Sequence, residues 1–252
     1  MQARAAITWV GHATVLVDLD GTRVITDPVL RDRVGALQRV AASAAPGVSE
    51  GIDLVLLSHL HADHADLPSL RRLARGRPRV FAPRGAAVWL AARGIENVSE
   101  MSVGEELRVG PLRVAATPAV HDGRRRPLGA EAAPVGFVVR GSRSAYFAGD
   151  TDLFEEMDDL AGTIDVALLP VWGWGRTLGP GHLDPDRAAQ AAARIRPGIA
   201  VPIHWGTLAP ARPLPRLRDP NWPVREFVER AARAAPDVEV RVLLPGERTE
   251  LP

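Results

Sequence analysis

The sequence predicts an α/β protein in which helices cover the outer faces of packed β-sheets. Two continuous apolar runs, at 53–58 and 164–169, are typical of strands that are buried on both faces. The segment at 185–195 is amphipathic and begins with Pro185 directly after Asp184, a favoured helix N-cap. Strands are followed by helices on both sides of the middle of the chain, and this order supports a layered arrangement.

The other elements follow from turn residues and hydrophobic periodicity. Asp20-Gly21 between two β-like runs predicts a tight hairpin turn. The further predicted strands lie at 8–10, 14–19, 23–26, 106–109, 112–117, 135–140, 144–148, 199–203 and 238–243. The further predicted helices lie at 67–74, with Asp66 as N-cap, and at 86–93 and 224–234, while residues 34–44 have the spacing of a surface helix.

The composition is that of a soluble globular protein. The chain has 252 residues, of which 46% are hydrophobic and 24% are charged. No run approaches the ~18 apolar residues of a membrane span, and the start lacks the apolar stretch of a secretory signal. We therefore expect a single domain over residues 1–252, located in the cytoplasm and without membrane contact.

Charge and residue usage exclude several kinds of chemistry. The 31 basic residues are all arginine and oppose 30 acidic residues, which gives a formal net charge of +1. This near-neutral balance provides no long-range field for nucleic acid, so no such partner is expected. The absence of lysine and cysteine excludes Schiff-base chemistry, disulfides, thiolate metal sites and cysteine nucleophiles. Any metal ion must be held by histidine and carboxylate.

Three of the seven histidines lie in one short segment directly after the buried run at 53–58. The segment reads Ser58-His59-Leu60-His61-Ala62-Asp63-His64. Neither a strand nor a helix would place all of its ligand side chains on one face, whereas a tight loop can aim them at two nearby points. So many ionisable groups would be costly to bury unless a cation binds them.

Three further candidate ligands occupy the same kind of position. His121, Asp150 and His204 each come just past the carboxyl end of a predicted strand. In layered α/β proteins the loops at that edge converge on the site. Because the 59–64 segment alone cannot saturate two metal ions, we expect these residues to complete the site.

These residues carry a family resemblance. The pattern His-X-His-X-Asp-His, followed by a distant histidine, a Gly-Asp and a final histidine, resembles the metallo-β-lactamase-fold hydrolases. Other motifs resemble the branch that contains ascorbate-6-phosphate lactonase-like and N-acyl-phosphatidylethanolamine phospholipase D-like proteins. These motifs are WVGHAT at 9–14, TDPV at 26–29, FAGDT at 147–151, LLP at 168–170, HLDP at 182–185 and PIHWGT at 202–207. The resemblance covers nearly the whole chain but specifies no substrate.

The resemblance implies a four-layer αββα sandwich with two divalent metal ions. In this pattern the first ion is bound by His59, His61 and His121, the second by Asp63, His64 and His204, and Asp150 bridges both. Zn²⁺ suits imidazole and carboxylate ligands, and Mn²⁺ and Fe²⁺ accept the same set.

The implied activity is metal-dependent hydrolysis. A hydroxide shared by the two ions attacks a lactone, ester or phosphodiester bond in a small metabolite, which can itself be phosphorylated. Asp63 lies where it can accept a proton from the attacking water.

Two alternatives stay open, a nuclease similar to ribonuclease Z and a metal-dependent oxidoreductase of the same fold. The near-neutral charge argues against the nuclease, and the complete ligand set and lack of a flavin domain argue against the oxidoreductase. The oligomeric state is left open.

Several other residues are assigned with an alternative. The resemblance implies that His182, in the glycine-rich stretch before the helix at 185, contacts substrate or donates a proton, and the alternative is that it caps that helix. Asp27 is expected to accept a hydrogen bond from a metal-binding histidine or to cap a turn. His12 is expected beside a carboxylate or the metal ions, or as a buried structural residue.

Two surface features are ambiguous in the same way. Trp172 and Trp174 are interpreted either as the wall of a substrate pocket or as packing residues. The run Arg124-Arg125-Arg126 either grips a phosphate group or is a solvated charge run, and the latter is favoured.

Overall fold

Two seven-stranded β-sheets and four α-helices make up the described part of the chain, with one smaller sheet at the side. The computed structural model describes residues 5–125, 129–175, 178–211 and 219–252. The strands are β1 (Ala6–Gly11), β2 (Thr14–Leu19), β3 (Thr22–Thr26), β4 (Arg33–Val34), β5 (Leu37–Arg39), β6 (Leu54–Leu56), β7 (Arg79–Pro83), β8 (Val98–Met101), β9 (Glu106–Val109), β10 (Leu112–Pro118), β11 (Val135–Arg140), β12 (Ser144–Phe147), β13 (Val166–Pro170), β14 (Ile199–Ile203), β15 (Leu208–Pro210), β16 (Glu239–Val240) and β17 (Arg248–Glu250). The helices are α1 (Leu67–Ala74), α2 (Ala87–Ala91), α3 (Pro185–Ile195) and α4 (Trp222–Ala234), with a 3₁₀-helix at Glu155–Leu160.

The strand order places the parallel strands on one side of each large sheet, from β3 to the edge strand β8 and from β12 to the edge strand β16. The first sheet has the order β17-β1-β2-β3-β6-β7-β8, and the second has the order β16-β14-β13-β12-β11-β10-β9. The small sheet has the order β15-β5-β4. The parallel pairs are β3 with β6, β6 with β7, β7 with β8, β12 with β13, β13 with β14, and β14 with β16.

Side-chain alternation explains the layers. Leu54 and Leu56 of β6 belong to the apolar cluster that includes residues of the second sheet. Val55 points the other way, into a separate cluster with Leu70 of α1 and Leu90 of α2. On the far side of the second sheet α3 contacts β13, and α4 packs along α3. The predicted αββα class is therefore confirmed.

Several local predictions are also confirmed. Asp20 and Gly21 both have positive φ, at 50° and 78°, as a two-residue hairpin turn with right-handed strand twist requires. Asp66 caps α1 by accepting a hydrogen bond from Ser69 N, and Asp184 caps α3 in the same way from Arg187 N. The sequence does not predict β7, β8, β15 and β17, because these strands are short or irregularly patterned.

The predicted surface helix at 34–44 is wrong. A turn at Gly35, with φ of 56°, reverses the chain between β4 and β5 instead. β5 then pairs antiparallel with β15, and Val34 and Leu37 are buried. Pairing with a strand about 170 residues later in the chain decides this conformation, and a local hydrophobic pattern contains no information about it.

The strand directions bring the candidate residues to one edge. β1 runs parallel to β3 and β6 because β2 is antiparallel to both of its neighbours, and β10 likewise runs parallel to β12. The carboxyl ends of β1, β3, β6, β10, β12, β13 and β14 precede the polar residues discussed below. Among the described residues, no helix has the length and apolar character needed to cross a membrane.

The core between the sheets is expected to carry much of the stability. Leu54 is fully buried there, so Leu54→Ala should lower the free energy of unfolding by about 2–5 kcal/mol through lost contacts and a cavity. Urea unfolding followed by circular dichroism measures this change. Val88→Ala is the control, because Val88 on α2 is 84% exposed and should change stability by less than about 0.5 kcal/mol. Equal effects of the two substitutions would contradict the assignment of Leu54 to the core.

Candidate metal centre

The structure brings all seven predicted ligand positions together. Four come from the loop after β6, and the others follow β10, β12 and β14. They are His59, His61, Asp63, His64, His121, Asp150 and His204. All are buried or half-buried. The carboxyl ends of strands from both sheets therefore build one cluster, as the sequence predicts.

The first group contains three histidines. A ring nitrogen of each of His59, His61 and His121 lies within 4.8 Å of those of the other two. His61 Nδ1 is 3.1 Å from His121 Nε2. The ring of His59 lies edge-on to the other two rings, at centroid distances of 4.6 and 4.7 Å.

The second group is built around Asp150. His64 Nε2 lies 3.2 Å from His204 Nε2 and 3.2 Å from Asp150 Oδ2. His204 Nε2 is also 3.2 Å from Asp150 Oδ1. Asp63 Oδ2 is 3.9 Å from His64 Nε2. Asp150 also lies within 4.8 Å of His121, so it adjoins both groups.

The outer nitrogen of each of these histidines has a hydrogen-bond acceptor. His59 Nδ1 donates to Ser58 Oγ (2.9 Å), His61 Nε2 to the Arg124 carbonyl (3.1 Å), His64 Nδ1 to Asp27 Oδ2 (2.7 Å), His121 Nδ1 to the Gly181 carbonyl (2.8 Å) and His204 Nδ1 to the Trp172 carbonyl (2.6 Å). With the proton held on the outer nitrogen, the inner nitrogen presents a lone pair to the centre.

This donor set fits divalent metal ions. Tetrahedral coordination with metal–nitrogen bonds of about 2.0–2.1 Å separates neighbouring ligand atoms by about 3.3 Å. The nitrogen–nitrogen separations of 3.1 and 3.2 Å agree with this value. Two buried atoms that face the centre, His59 Nε2 and Asp150 Oδ1, have no hydrogen-bond partner. His204 lies close to Asp150 Oδ1, but its proton is on the other nitrogen, so a cation is the partner that satisfies these atoms.

The histidine pKa values agree with ligand roles. Burial lowers the pKa of His59, His61 and His121, and it lowers the pKa of His204 to about 3. These rings are therefore neutral at pH 7, which is the form that binds metals. Burial also lowers the pKa of His64, but Asp150 and Asp27 outweigh it and raise that pKa well above its ordinary value. A proton and a metal ion therefore compete for His64 Nε2.

The two carboxylates stay ionised. Burial raises the pKa of Asp150, but His204 and His64 outweigh this effect and hold the pKa well below its usual range. Burial likewise raises the pKa of Asp63, and the hydrogen bond from His12 together with His64 outweighs it. The centre thus contains two negative charges, which attract divalent cations.

Asp27 makes the predicted contact with a histidine of the cluster. Its Oδ2 accepts hydrogen bonds from His64 Nδ1 and from Ser58 Oγ (2.5 Å), and its Oδ1 accepts one from Ser58 N (2.7 Å). Ser58 Oγ in turn accepts from His59. One buried carboxylate therefore orients a histidine in each group.

Gly149 explains why a glycine precedes Asp150. Its φ is +62°, and a Cβ at this position would lie 2.6 Å from Ser58 Cβ. A larger residue would push the end of β12 away from the loop after β6. The glycine therefore allows Asp150 to approach the histidines of that loop.

Arg125 has a role that the sequence reading missed. Its Nη1 donates to the carbonyls of Leu60 and Ala65, and its guanidinium lies 4.7 Å from the Trp89 ring. It therefore braces the ligand loop and is neither a solvated charge nor a phosphate grip. Arg124 forms an exposed ion pair with Glu131. Arg126 lies outside the described residues, as do Arg176 and Thr177 of the glycine-rich stretch.

The remaining candidates surround the cluster. His182 Nε2 is 3.5 Å from Asp150 Oδ2, while its Nδ1 faces the carbonyls of Gly179 and Pro180. Because Asp184 is the N-cap of α3, the capping alternative for His182 is wrong. His12 Nε2 donates to Asp63 Oδ2 over 3.2 Å, so His12 lies beside a carboxylate, as one alternative had it.

Comparison with known proteins decides the family. The sequence model for the beta-lactamase superfamily domain matches residues 22–205. A metal-dependent hydrolase from Methanopyrus kandleri is 36% identical over 251 residues, which cover 97% of this chain and 99% of that protein. The chain belongs to the metallo-β-lactamase superfamily. It is a metal-dependent hydrolase with a histidine and aspartate cluster able to bind metal ions.

Two more relatives extend the comparison. A metallo hydrolase from Ignicoccus hospitalis has a similar structure, with a TM-score of 0.75, 25% identity and coverage of 99% of both chains. N-acyl-phosphatidylethanolamine-hydrolyzing phospholipase D 1 from Caenorhabditis elegans is 30% identical over 229 residues, which cover 79% of this chain and 63% of that protein. The latter belongs to one of the two groups that the sequence motifs resemble.

Asp27 provides a test of how the centre is organised. Asp27→Asn should weaken the binding of metal to both groups by about 10- to 100-fold, because His64 and, through Ser58, His59 lose their common acceptor. Titration with Zn²⁺ against a chromophoric chelator measures the affinities. Asp53→Asn is the matched control, since Asp53 accepts a backbone hydrogen bond from Arg23 N just before β6. Unchanged metal affinity in Asp27→Asn would show that Asp27 does not orient the ligands.

Proposed function

We propose that the protein holds two divalent metal ions and hydrolyses an ester, lactone or phosphodiester bond in a small molecule. The observation that carries this proposal is the position of Asp150. This single carboxylate is 3.2 Å from His64 and His204 and also adjoins His121 of the other group. A ligand shared by two groups of imidazoles suits a pair of ions more closely than it suits one.

The ligand assignment follows the two groups. His59, His61 and His121 hold the first ion, Asp63, His64 and His204 hold the second, and Asp150 binds both. Zn²⁺ is the preferred ion, because five of the seven ligands are imidazoles, and Mn²⁺ or Fe²⁺ are the alternatives. Two ions held close together lower the pKa of a shared water toward ~7 and polarise the bond to be cleaved.

His182 is the residue that supplies a proton to the leaving group. Its Nδ1 donates to backbone carbonyls and its Nε2 faces Asp150, and these acceptors outweigh burial and raise the pKa of His182 above its ordinary value. Its side chain is 25% exposed, at the edge of the cluster, where a substrate can reach it. Asp63 is less suited to accept a proton, because the hydrogen bond from His12 and the nearby His64 outweigh burial and hold its pKa well below the ordinary value.

The relatives support the class of bond. The Caenorhabditis elegans relative is an N-acyl-phosphatidylethanolamine-hydrolyzing phospholipase D, which supports a phosphodiester as one substrate bond. Lactones and carboxylic esters stay in the proposal, because the ligands, Asp150 and His182 would serve attack at carbon in the same way as attack at phosphorus. Because the net charge of the chain is only +1, it provides little attraction for nucleic acid, and we propose a small-molecule substrate.

Metal content and activity are expected to change together. The purified protein should contain two ions per chain at saturation by elemental analysis. His59→Ala should weaken the first site and His204→Ala the second, each with loss of hydrolysis of nitrophenyl esters, lactones or nitrophenyl phosphodiesters. Saturation at one ion, with no second site on titration, would refute the binuclear arrangement. Absence of hydrolysis across the panel, with two ions bound, would refute the bond class alone.

His182→Ala is expected to lower kcat by about 10²- to 10³-fold, the usual effect of removing one donor to a developing negative charge. Both metal ions should remain bound, because the ligands are unchanged. Asp184→Ala is the control. It removes the N-cap of α3, and should lower stability by about 1 kcal/mol without lowering kcat. Loss of a metal ion in His182→Ala would make His182 a ligand, and an unchanged kcat would remove it from catalysis.

A further inference from the structure

One loop, between β13 and α3, contacts residues in both groups of ligands. The Trp172 carbonyl accepts a hydrogen bond from His204, and the Gly181 carbonyl accepts one from His121. His182 faces Asp150 from the same loop. The remaining contact is made by Trp174, whose role the proposed function leaves open.

Trp174 is fixed at its indole nitrogen and is otherwise partly open to solvent. Its Nε1 donates to Asp63 Oδ2 over 2.8 Å, although the residue is 42% exposed. The same oxygen accepts from His12 Nε2 and lies 3.9 Å from His64 Nε2. Two N–H groups therefore hold the Asp63 carboxylate beside His64, one from the buried His12 and one from the exposed tryptophan.

Two apolar side chains among the described residues lie beside the ligand cluster. Leu178 lies next to Gly173, since a Cβ on Gly173 would be 3.3 Å from Leu178 Cδ2 and 3.8 Å from His204 Cε1. Beyond the first group, Val120 is 47% exposed directly before His121. Of the arginines in the run after His121, Arg125 is turned toward backbone carbonyls and Arg124 is paired with Glu131. The described rim therefore offers apolar contacts at both ends of the cluster.

We propose that Trp174 positions Asp63 for the second metal ion and contacts an apolar or aromatic group next to the cleaved bond of the substrate. The substrate part of this assignment rests on the proposed hydrolysis. The indole N–H orients the Asp63 carboxylate, and the exposed ring selects substrates that have an apolar group next to the cleaved bond. The two parts are separable, because phenylalanine keeps a ring but has no N–H, whereas alanine has neither.

The positioning part is tested by metal binding without any substrate. Trp174→Phe should weaken binding of the second Zn²⁺ by about tenfold in a chelator competition, and leave the first unchanged. Trp222→Phe is the control, since it removes an indole N–H on α4, an element that supplies none of the candidate ligands. Wild-type affinity in Trp174→Phe, or an equal loss in Trp222→Phe, would overturn the positioning role.

The selectivity part is tested with nitrophenyl acetate and nitrophenyl hexanoate on the zinc-loaded enzyme. Trp174→Ala should lower the ratio of kcat/KM for hexanoate over acetate by about tenfold, while Trp174→Phe should keep that ratio near the wild-type value. Equal losses for both esters in Trp174→Ala would overturn the substrate contact. If the wild type cleaves neither these esters nor the lactones and phosphodiesters, the proposed function fails together with the substrate contact. The zinc competition then still decides the role of Trp174 toward Asp63.

Discussion

Five imidazole rings and two carboxylates, all buried or half-buried, lie within a few ångströms of one another, and the rest of the structure is arranged around this concentration of candidate ligands. Inner ring nitrogens that face each other at about 3 Å repel unless a cation lies between them. Each ring is therefore fixed from outside by an acceptor for its other N–H. Asp27 is the central one, because through Ser58 it orients a histidine in each group. Metal binding and folding of this edge are thus linked.

The core between the two sheets holds unfavourable backbone conformations in place at the centre. Three buried residues of the centre, His12, Asp27 and His204, have positive φ, which is unfavourable for side chains other than glycine. Such conformations persist only where the surrounding structure holds them. Here each residue directly follows a buried strand, and the backbone of His204 donates to the His12 carbonyl across the gap between the two sheets. The stability of the sandwich therefore supports strain at its ligand-bearing edge.

Two groups of contacts outside the ligands complete the centre. Arg125 braces the loop after β6 from one side, and the loop between β13 and α3 covers the other side through backbone carbonyls, Trp174 and His182. The similarity to a metal-dependent hydrolase extends over nearly the whole chain. In the proposed function the covering loop supplies the groups that approach a substrate, so differences in substrate within the superfamily are expected to reside in such loops more than in the candidate ligands.

The sequence by itself determined the fold class and the set of candidate ligands that gather at one edge. Dense histidines after a buried strand, a Gly-Asp after another and local caps such as Asp66 are signals that lie close together in the chain, so they can be read without a structure. Tertiary structure alone decided the partners of those ligands. The hairpin of β4 and β5 forms because β5 pairs with β15. Arg125 turns inward because it donates hydrogen bonds to carbonyls of the ligand loop. Trp174 donates to Asp63, which lies 111 residues away in the chain. These outcomes depend on contacts between distant segments, and no local periodicity or spacing encodes such contacts.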